Sequence, residues 1–232
     1  MGQYDWVVSE LNTLSFTAFD TETTGLDPVS QRIVEIGGIR FDSKGPRSRF
    51  NTLINPGTPM PAEASRINGI TDAMLTGKPE AAIAIPDFLR FIGDSVLIAH
   101  NAPFDINFVN GELGRLRLPR LTNKVVDTRL FAKEVFPGLP KYALQDLAVR
   151  FGIQALEAHR AEDDARVCME LFLVCVQRLK ELKPGLVAEV NAIEKNAQAD
   201  EEKNNSIRTE ATVSEDLFDD LEEDLFDEEI PI

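Results

Sequence analysis

Two acidic residues stand close together at the end of an apolar, strand-like stretch near the start of this chain. Asp20 and Glu22 follow residues 16–19 and are separated by one residue. Because the side chains of a strand alternate between its faces, both carboxylates point to the same side. Two negative charges this close resist joint ionisation unless a cation lies between them, and oxygen ligands favour a hard divalent ion such as Mg²⁺ or Mn²⁺. A solvated strand end without a special role is the alternative for this pair taken alone.

Further acids are predicted to lie near the same place. Asp105 and Asp127 each come at or just after the end of another strand-like stretch. Loops at strand ends tend to line one edge of an open α/β sheet, where ligands bind. Asp164 lies near the start of a long amphipathic helix, and His159 precedes it by five residues, so both can face that edge. Asp163 points about 100° away from Asp164 around a helix.

Four carboxylates at one place would need two cations. Two cations about 3.5–4 Å apart can hold the attacking and leaving oxygens of an in-line phosphoryl displacement, which favours phosphodiester hydrolysis. The reaction also needs a group that takes a proton from water near neutral pH, and histidine suits this task because its ordinary pKa is about 6.5. His159 could reach such a water, whereas His100, at a strand end, could instead be a structural group.

These residues must be positioned by an α/β fold with a mixed sheet flanked by helices, because strands and helices alternate after an opening hairpin. Apolar, β-branched stretches predict five strands, at residues 16–19, 33–41, 48–54, 96–99 and 124–126. Apolar spacing and proline positions predict helical segments at residues 62–67, 71–75, 88–92, from 103, 128–135, 143–151 and 161–182. Pro86 is expected to start or kink the helix that contains residues 88–92.

The length of 232 residues favours one domain with an appendage. No run of about 18 apolar residues and no signal peptide is found, which predicts a cytoplasmic protein without a membrane partner. The two cysteines, Cys168 and Cys175, stand too far apart on one helix to bridge and are expected to be buried thiols.

The charge of the chain is concentrated at its C-terminal end. Of the 39 acidic and 24 basic residues, 16 acids and 4 bases lie in residues 183–232, which leaves a balance of −3 for residues 1–182. We therefore predict a catalytic domain at residues 1–182, a linker or helix extension at 183–198, and a disordered acidic tail at 199–232. A basic set in the domain could meet phosphates or could be a solvated surface, and it comprises Arg115, Arg117, Arg120 and Lys124.

Three stretches of the chain resemble the motifs of the DnaQ-like 3′ to 5′ exonucleases. They begin at Phe19 (FDTETTGL), His100 (HNAPFD) and His159 (HRAEDDA). The resemblance covers about residues 14–180 and implies a ribonuclease H-like fold. It also implies two divalent cations, Mg²⁺ or Mn²⁺, with His159 as general base. The implied metal ligands are Asp20, Glu22, Asp105 and Asp164. The positions implied to lie near the terminal nucleotide are Thr23, Thr24, Gly25, Leu26, His100, Asn101 and Phe104.

The resemblance has limits. Asn68 stands where a histidine would be expected in a His-Gly-Ile-Thr motif. Arg160 stands where one branch of the family has a catalytic tyrosine, which disfavours that branch. Asp127 matches an acid often seen near the site, and we expect it to act behind the ligands. DNA 3′ ends are the expected substrate, in replication proofreading or repair. RNA trimming in the manner of ribonuclease T, and a module that binds ends without cleaving, stay open.

The tail carries a short repeated pattern, Asp-Leu-Phe-Asp. An acidic tail with incidental apolar residues is the first interpretation. A motif that docks on a partner is the alternative, because a disordered segment has no core in which to place its Leu-Phe pairs. The cores look like the peptides by which bacterial replication proteins bind the sliding clamp, although their usual glutamine is missing. Under the docking alternative, the partner would be a DNA polymerase or a sliding clamp, bound through Leu217, Phe218, Leu225 and Phe226.

Overall fold

The computed structural model describes residues 2–193 and 195–196 of the chain. The chain divides after Lys183 into two units. The first unit holds the sheet and its helices, and in the second unit residues 184–193 are helical. The predicted acidic tail, with both Leu-Phe pairs, lies outside the described residues.

Five strands form one mixed sheet with the order β3-β2-β1-β4-β5. The antiparallel pairs are β1–β2 and β2–β3, and the parallel pairs are β1–β4 and β4–β5. The strands are β1 (Phe16–Thr23), β2 (Ile33–Asp42), β3 (Gly45–Leu53), β4 (Val96–Ala99) and β5 (Val125–Asp127). The predicted mixed five-stranded sheet is thereby confirmed, and the acid-bearing β1 is its central strand.

The hairpin between β2 and β3 is tighter than the sequence pattern predicted. The strands pair as far as Asp42 and Gly45, so that only residues 43 and 44 lie between them. Gly45 has a φ of 112°, a backbone conformation that glycine adopts without steric cost. Pro46 is tolerated because β3 is an edge strand, where a missing N–H does not break the ladder on both sides.

Eight named helices surround the sheet in the described residues: α1 (Asp5–Glu10), α2 (Ala62–Asn68), α3 (Asp72–Leu75), α4 (Ala81–Ile92), α5 (Pro103–Arg115), α6 (Thr128–Val135), α7 (Leu144–Phe151) and α8 (Ala161–Leu182). The sequence pattern missed α1, which has only six residues. Pro86 lies inside α4, so the prediction that this proline could start the helix is wrong. None of the helices described is long and apolar enough to cross a membrane.

Both faces of the sheet are covered by aromatic packing. On one face Phe16 of β1 packs against Phe172 of α8, with ring centroids 5.4 Å apart. On the other face Phe19 packs against Phe88 of α4, with centroids 5.5 Å apart. This two-sided burial explains why β1 is apolar without alternation before its acids begin. The thiols Cys168 and Cys175 are free and buried on α8, as predicted.

The start of α8 lies directly on β2 because β2 has a glycine at the crossing point. A Cβ atom on Gly37 would lie 2.1 Å from the carbonyl carbon of Ala161 and from the backbone nitrogen of Glu162. Gly37 is also paired with Asp20 in the register of β1 and β2. The close contact therefore brings the first turn of α8 beside the acidic end of β1.

Replacing Gly37 by alanine should destabilise the protein, because the added methyl group meets backbone atoms that cannot rotate away. We expect a loss of about 3 kcal/mol in the free energy of unfolding, measured by urea denaturation. Gly114→Ala is the matched control, since a Cβ atom there meets nothing within 4 Å. The control should be neutral or stabilising by up to about 1 kcal/mol. Equal effects of the two substitutions would contradict this account of the crossing.

Candidate active site

The acids predicted to act together lie together. Ligand atoms of Glu22, His159 and Asp164 all lie within 4.8 Å of one another, as a metal ion would require. Asp20 joins this cluster, because the charges of Asp105, Glu22 and Asp164 all act on its carboxylate. β1 supplies the first two acids, and the first turns of α5 and α8 supply Asp105 and Asp164. The predicted five residues thus meet at one edge of the sheet.

Backbone and side-chain donors fix the two helix-borne acids. Asp105 is buried, and its Oδ1 accepts hydrogen bonds from the backbone N–H of Thr21 at 3.0 Å and from the Thr21 hydroxyl at 2.8 Å. Asp164 accepts from the side-chain amide of Gln145 at 2.6 Å and from the backbone N–H of His159 at 3.0 Å. The sequence pattern missed Gln145, since a glutamine on a short helix carries no signal of its own.

His159 lies at the exposed entrance to α8. Its φ is 64°, a left-handed conformation that non-glycine residues seldom adopt and that often marks a functional site. The hydrogen bond from its N–H to Asp164 holds this turn in place. The neighbouring Asp163 faces elsewhere: it accepts from the backbone N–H groups of Leu156 and Glu157 and pairs with Arg166. Asp164 rather than Asp163 therefore belongs to the cluster.

The acids of the cluster have no ion-pair partner, and their surroundings disfavour joint ionisation. Within the described residues, no lysine or arginine forms an ion pair with Asp20, Glu22, Asp105 or Asp164. Burial, followed by the charges of Asp164 and Glu35, raises the pKa of Glu22 to about 8. Burial raises the pKa of Asp105 to about 7. The pKa of Asp20 is raised well above its ordinary range by burial and by its acidic neighbours, and burial also raises the pKa of Asp164.

An ion pair between a buried glutamate and a partly exposed arginine lies next to the cluster, and the sequence pattern did not predict it. Glu35 of β2 is fully buried and is paired with Glu22 in the β1–β2 register. Its carboxylate accepts from Arg160 at 3.1 and 2.8 Å, and from the backbone N–H of Ala161 at 3.2 Å. This pair ties the start of α8 to the sheet. A glutamate inside the otherwise apolar run of β2 was the available signal.

Asn68, the residue that departs from the family motif, is buried and hydrogen-bonded. Its side-chain amide donates to the carbonyl oxygen of Thr23 at 3.4 Å, and its oxygen accepts from the backbone N–H of Ile70 at 3.0 Å. Asn68 also lowers the pKa of Glu22, against the larger effect of burial. The asparagine therefore acts on the cluster from the place where the motif has histidine.

Four of the residues predicted to meet the terminal nucleotide, Thr23, Thr24, Gly25 and Leu26, lie where β1 ends. The hydroxyl of Thr23 donates to the Gly25 carbonyl oxygen at 2.6 Å, and the hydroxyl of Thr24 donates to Gln31 at 2.6 Å. Leu26 follows on the loop with 85% of its surface exposed. A large apolar side chain exposed on an ordered loop is free to contact a ligand.

Phe104 packs partly against the core, with its ring centroid 4.8 Å from that of Phe108. Asn101 has a φ of 70°, and its N–H donates to Asp127 at 3.2 Å. Asp127 also caps α6 by accepting from the N–H groups of Arg129 and Leu130. Asp127 therefore holds Asn101 and the start of α6, and its role behind the metal ligands stays a prediction.

His100 fits the structural reading better than the substrate-binding one. Its Nδ1 is 2.9 Å from the Thr128 hydroxyl, and its Nε2 is 2.9 Å from the Tyr142 carbonyl oxygen. Because a carbonyl oxygen only accepts, Nε2 carries the proton and Nδ1 accepts. Burial lowers the pKa of His100, in keeping with this neutral form. Neither ring nitrogen is left free for a nucleotide.

An open mixed α/β sheet with clustered acids and a histidine at the end of its central strand defines a nuclease. Residues 17–172 match the family model described as exonuclease. The chain belongs to this exonuclease family, and its predicted membership of the DnaQ-like 3′ to 5′ exonucleases is confirmed.

Two sequence relatives and one solved structure illustrate the similarity. The chain is 53% identical over 175 residues to the DNA polymerase III subunit epsilon of Treponema pallidum (strain Nichols), which covers 75% of this chain and 81% of the relative. It is 44% identical to the DNA polymerase III subunit epsilon of Rickettsia conorii (strain ATCC VR-613 / Malish 7), and this alignment covers 70% of this chain and 74% of the relative. The structure of exonuclease X in complex with 5′ overhanging duplex DNA superposes with a TM-score of 0.58 at 26% identity, covering 75% of this chain and 98% of that chain.

Glu22→Gln should stabilise the metal-free protein at about pH 8, where we expect a gain of about 1 kcal/mol or more in the free energy of unfolding. The folded-state pKa of Glu22, about 8, lies above its ordinary value, so the folded parent binds more protons than the unfolded chain between these values. The parent therefore loses stability as the pH rises through this window, and the glutamine variant avoids that loss.

This prediction is measured by denaturation in EDTA across the pH range. The lowered pKa of His100 gives an opposite slope, but parent and variant share it. The difference in the free energy of unfolding between parent and variant should vanish near pH 4. Added Mn²⁺ at about pH 8 should stabilise the parent more than the variant. A difference that is independent of pH would show that the charge of Glu22 is not the cause.

Proposed function

We propose that this chain is a metal-dependent exonuclease that removes nucleotides one at a time from single-stranded or frayed DNA 3′ ends, releasing nucleoside monophosphates during replication proofreading or repair. The observation that carries the proposal is the meeting of four carboxylates and His159 at one edge of the sheet without a basic partner among the described residues. A cluster that costs stability in this way is typical of a functional site.

The donor set fits a divalent metal. Carboxylate oxygens are the ligands that Mg²⁺ and Mn²⁺ prefer. Burial raises the pKa values of Asp20 and Glu22 most, and the charges of neighbouring acids, which a cation would balance, raise them further. We assign two divalent cations to Asp20, Glu22, Asp105 and Asp164. When bound, they would stabilise the charge that develops on the attacking and leaving oxygens of the phosphodiester.

The protein groups have separate tasks in this reaction. His159 accepts the proton of the attacking water from its exposed position beside Glu22 and Asp164. Gln145 and Thr21 orient the two helix-borne carboxylates through their hydrogen bonds. Thr23, Thr24 and Leu26 lie beside the cluster and form the surface on which the terminal nucleotide rests. His100 has a structural role rather than a contact with the substrate, because both of its ring nitrogens are taken up by Thr128 and Tyr142.

DNA is the proposed substrate because the relatives described above are named as subunits of DNA polymerase III and because the similar solved structure contains DNA. A 2′-hydroxyl on the substrate is the one chemical feature that separates DNA from RNA at such a site. The test must therefore compare the two polymers directly.

Matched DNA and RNA oligonucleotides, labelled at the 5′ end and incubated with Mg²⁺ or Mn²⁺, should give a ladder of shortened products on DNA. Asp20→Asn and His159→Gln should each lower the turnover number by at least about 100-fold, because a ligand charge or the proton acceptor is lost. The exposed Asp94→Asn is the control and should match the parent. Activity of either site variant within about tenfold of the parent would contradict the assigned roles.

The outcome on the two polymers separates the alternatives. A ladder of shortened products on RNA alone would show that the substrate is RNA and not DNA. Binding of either oligonucleotide without any ladder would favour a module that recognises ends without cleaving them.

We also propose that the acidic tail recruits a replication partner, a DNA polymerase or a sliding clamp. Support comes from the two Asp-Leu-Phe-Asp repeats, with Leu217, Phe218, Leu225 and Phe226 as the contacts. In the same assay, a protein lacking residues 199–232 should keep its activity on a free oligonucleotide. It should fail to bind the sliding clamp in a pull-down, and retained binding would exclude the tail as the docking segment.

A further inference from the structure

A cleft of about 550 Å³ lies beside the active site, between α5 and the loop that follows β1. One wall is the exposed face of α5, where Asn107, Asn110 and Gly114 follow one another at helical spacing. The other wall is the loop at Pro28 and Val29. None of the assigned catalytic or nucleotide-contacting residues lines this cleft.

The cleft continues from the active site along two chain segments. Its helix is the one whose first turn carries Asp105, and from there to Gly114 the helix rises about 13 Å. Its loop is the direct continuation of Thr24 and Leu26. A strand that places its terminal nucleotide at the acid cluster can therefore extend into this cleft without leaving the protein surface.

The lining of the cleft includes two arginines, Arg115 and Arg120, and no carboxylate. Arg115 is in an ion pair with Glu112 at 3.6 Å, so Arg120 is the cation of the lining that can attract a phosphate. Four other clefts in the described part of the chain each contain at least one acid: Glu162, Glu80, Asp127 and Asp72 respectively. A lining without an acid repels phosphates less than the linings of these four clefts do.

The two arginines of the cleft have different roles. Arg115 donates to the carbonyl oxygens of Pro28 and Gln31 and holds the loop against α5. A Cβ atom on Gly111 would lie 2.8 Å from the Pro28 carbonyl oxygen, so helix and loop are in direct backbone contact. The cleft is therefore formed before any ligand binds. Arg120 is exposed and has no hydrogen bond or ion pair with any residue that the structure describes.

The amide of Asn110 is also oriented toward a ligand. Its oxygen accepts from the backbone N–H of Leu121 at 3.0 Å, which fixes the orientation of the group and leaves its NH₂ as the outward donor. Phosphate and sugar oxygens accept from such amides and from arginine. Val29, with 83% of its surface exposed, supplies an apolar contact for a base.

We propose that this cleft binds the nucleotides of a single strand that immediately precede the 3′-terminal one, with Arg120 at a phosphate and Asn110 as a hydrogen-bond donor. This inference rests on the proposed function, since it extends the same substrate. The cleft lets the enzyme hold a frayed strand beyond its last nucleotide. It therefore favours longer unpaired ends over fragments that are too short to reach the cleft.

The test is the dissociation constant of a fluorescent single-stranded oligonucleotide in EDTA, where binding is measured without turnover. Arg120→Glu and Gly114→Glu should each weaken binding about tenfold at low salt, and the difference should shrink as salt is added. Gly114→Gln separates charge from bulk and should bind more tightly than Gly114→Glu. Arg90→Glu, the same charge change at an exposed position of α4, should bind like the parent.

Catalysis gives an independent comparison. A p-nitrophenyl ester of a nucleoside 5′-monophosphate occupies only the terminal position. With Mg²⁺ present, Arg120→Glu should therefore lower kcat/KM for the oligonucleotide about tenfold more than it lowers kcat/KM for this ester. Binding by Arg120→Glu and Gly114→Glu within about twofold of the parent would overturn the cleft proposal and leave the proposed function intact. Binding changes as predicted, without any ladder from the parent, would instead overturn the nuclease chemistry alone.

Discussion

Repulsion among clustered carboxylates is the constraint on which the rest of this structure depends. Asp20, Glu22, Asp105 and Asp164 lie together at one sheet edge, and no lysine or arginine among the described residues forms an ion pair with them. Such a cluster disfavours folding when all its members are ionised, so the surrounding structure must hold it by other means. Hydrogen bonds from Thr21 and Gln145 hold individual acids, and burial of aromatic side chains on both faces of the sheet stabilises the strand that bears two of them.

The position of α8 shows how the fold meets this constraint. Gly37 lets the first turn of α8 lie on β2, and the ion pair of Glu35 and Arg160 ties that turn to the sheet. The geometry of Asp164 and His159 thus depends on contacts made outside the cluster. Removing Arg160 would leave the buried carboxylate of Glu35 unpaired, which destabilises the fold. The pair therefore matters for stability although it takes no direct part in the chemistry. The same design extends to the neighbouring cleft, where Arg115 is used to fix a loop and Arg120 is left for the ligand.

The sequence predicted those parts of the molecule that have a local signal. The apolar run before Asp20, the long periodic helix before Lys183 and the mixed sheet were all recognisable from patterns of a few residues. The short α1 and the tight turn at Gly45 were missed, because six residues carry little periodicity and a single glycine can end a loop or begin a strand. Contacts between distant segments were also beyond reach: Glu35 and Arg160 are 125 residues apart, and nothing in either segment names the other.

The most direct test of the central claim is the number of Mn²⁺ ions bound by the parent and by Asp20→Asn, measured by titration calorimetry. The full chain should be used for both proteins, so that weak binding to the acidic tail is common to the two and cancels in the comparison. The account predicts that the parent binds two ions more tightly than the tail does, and that Asp20→Asn loses at least one of them. Equal numbers and affinities in the two proteins would show that the buried carboxylates do not form a metal site.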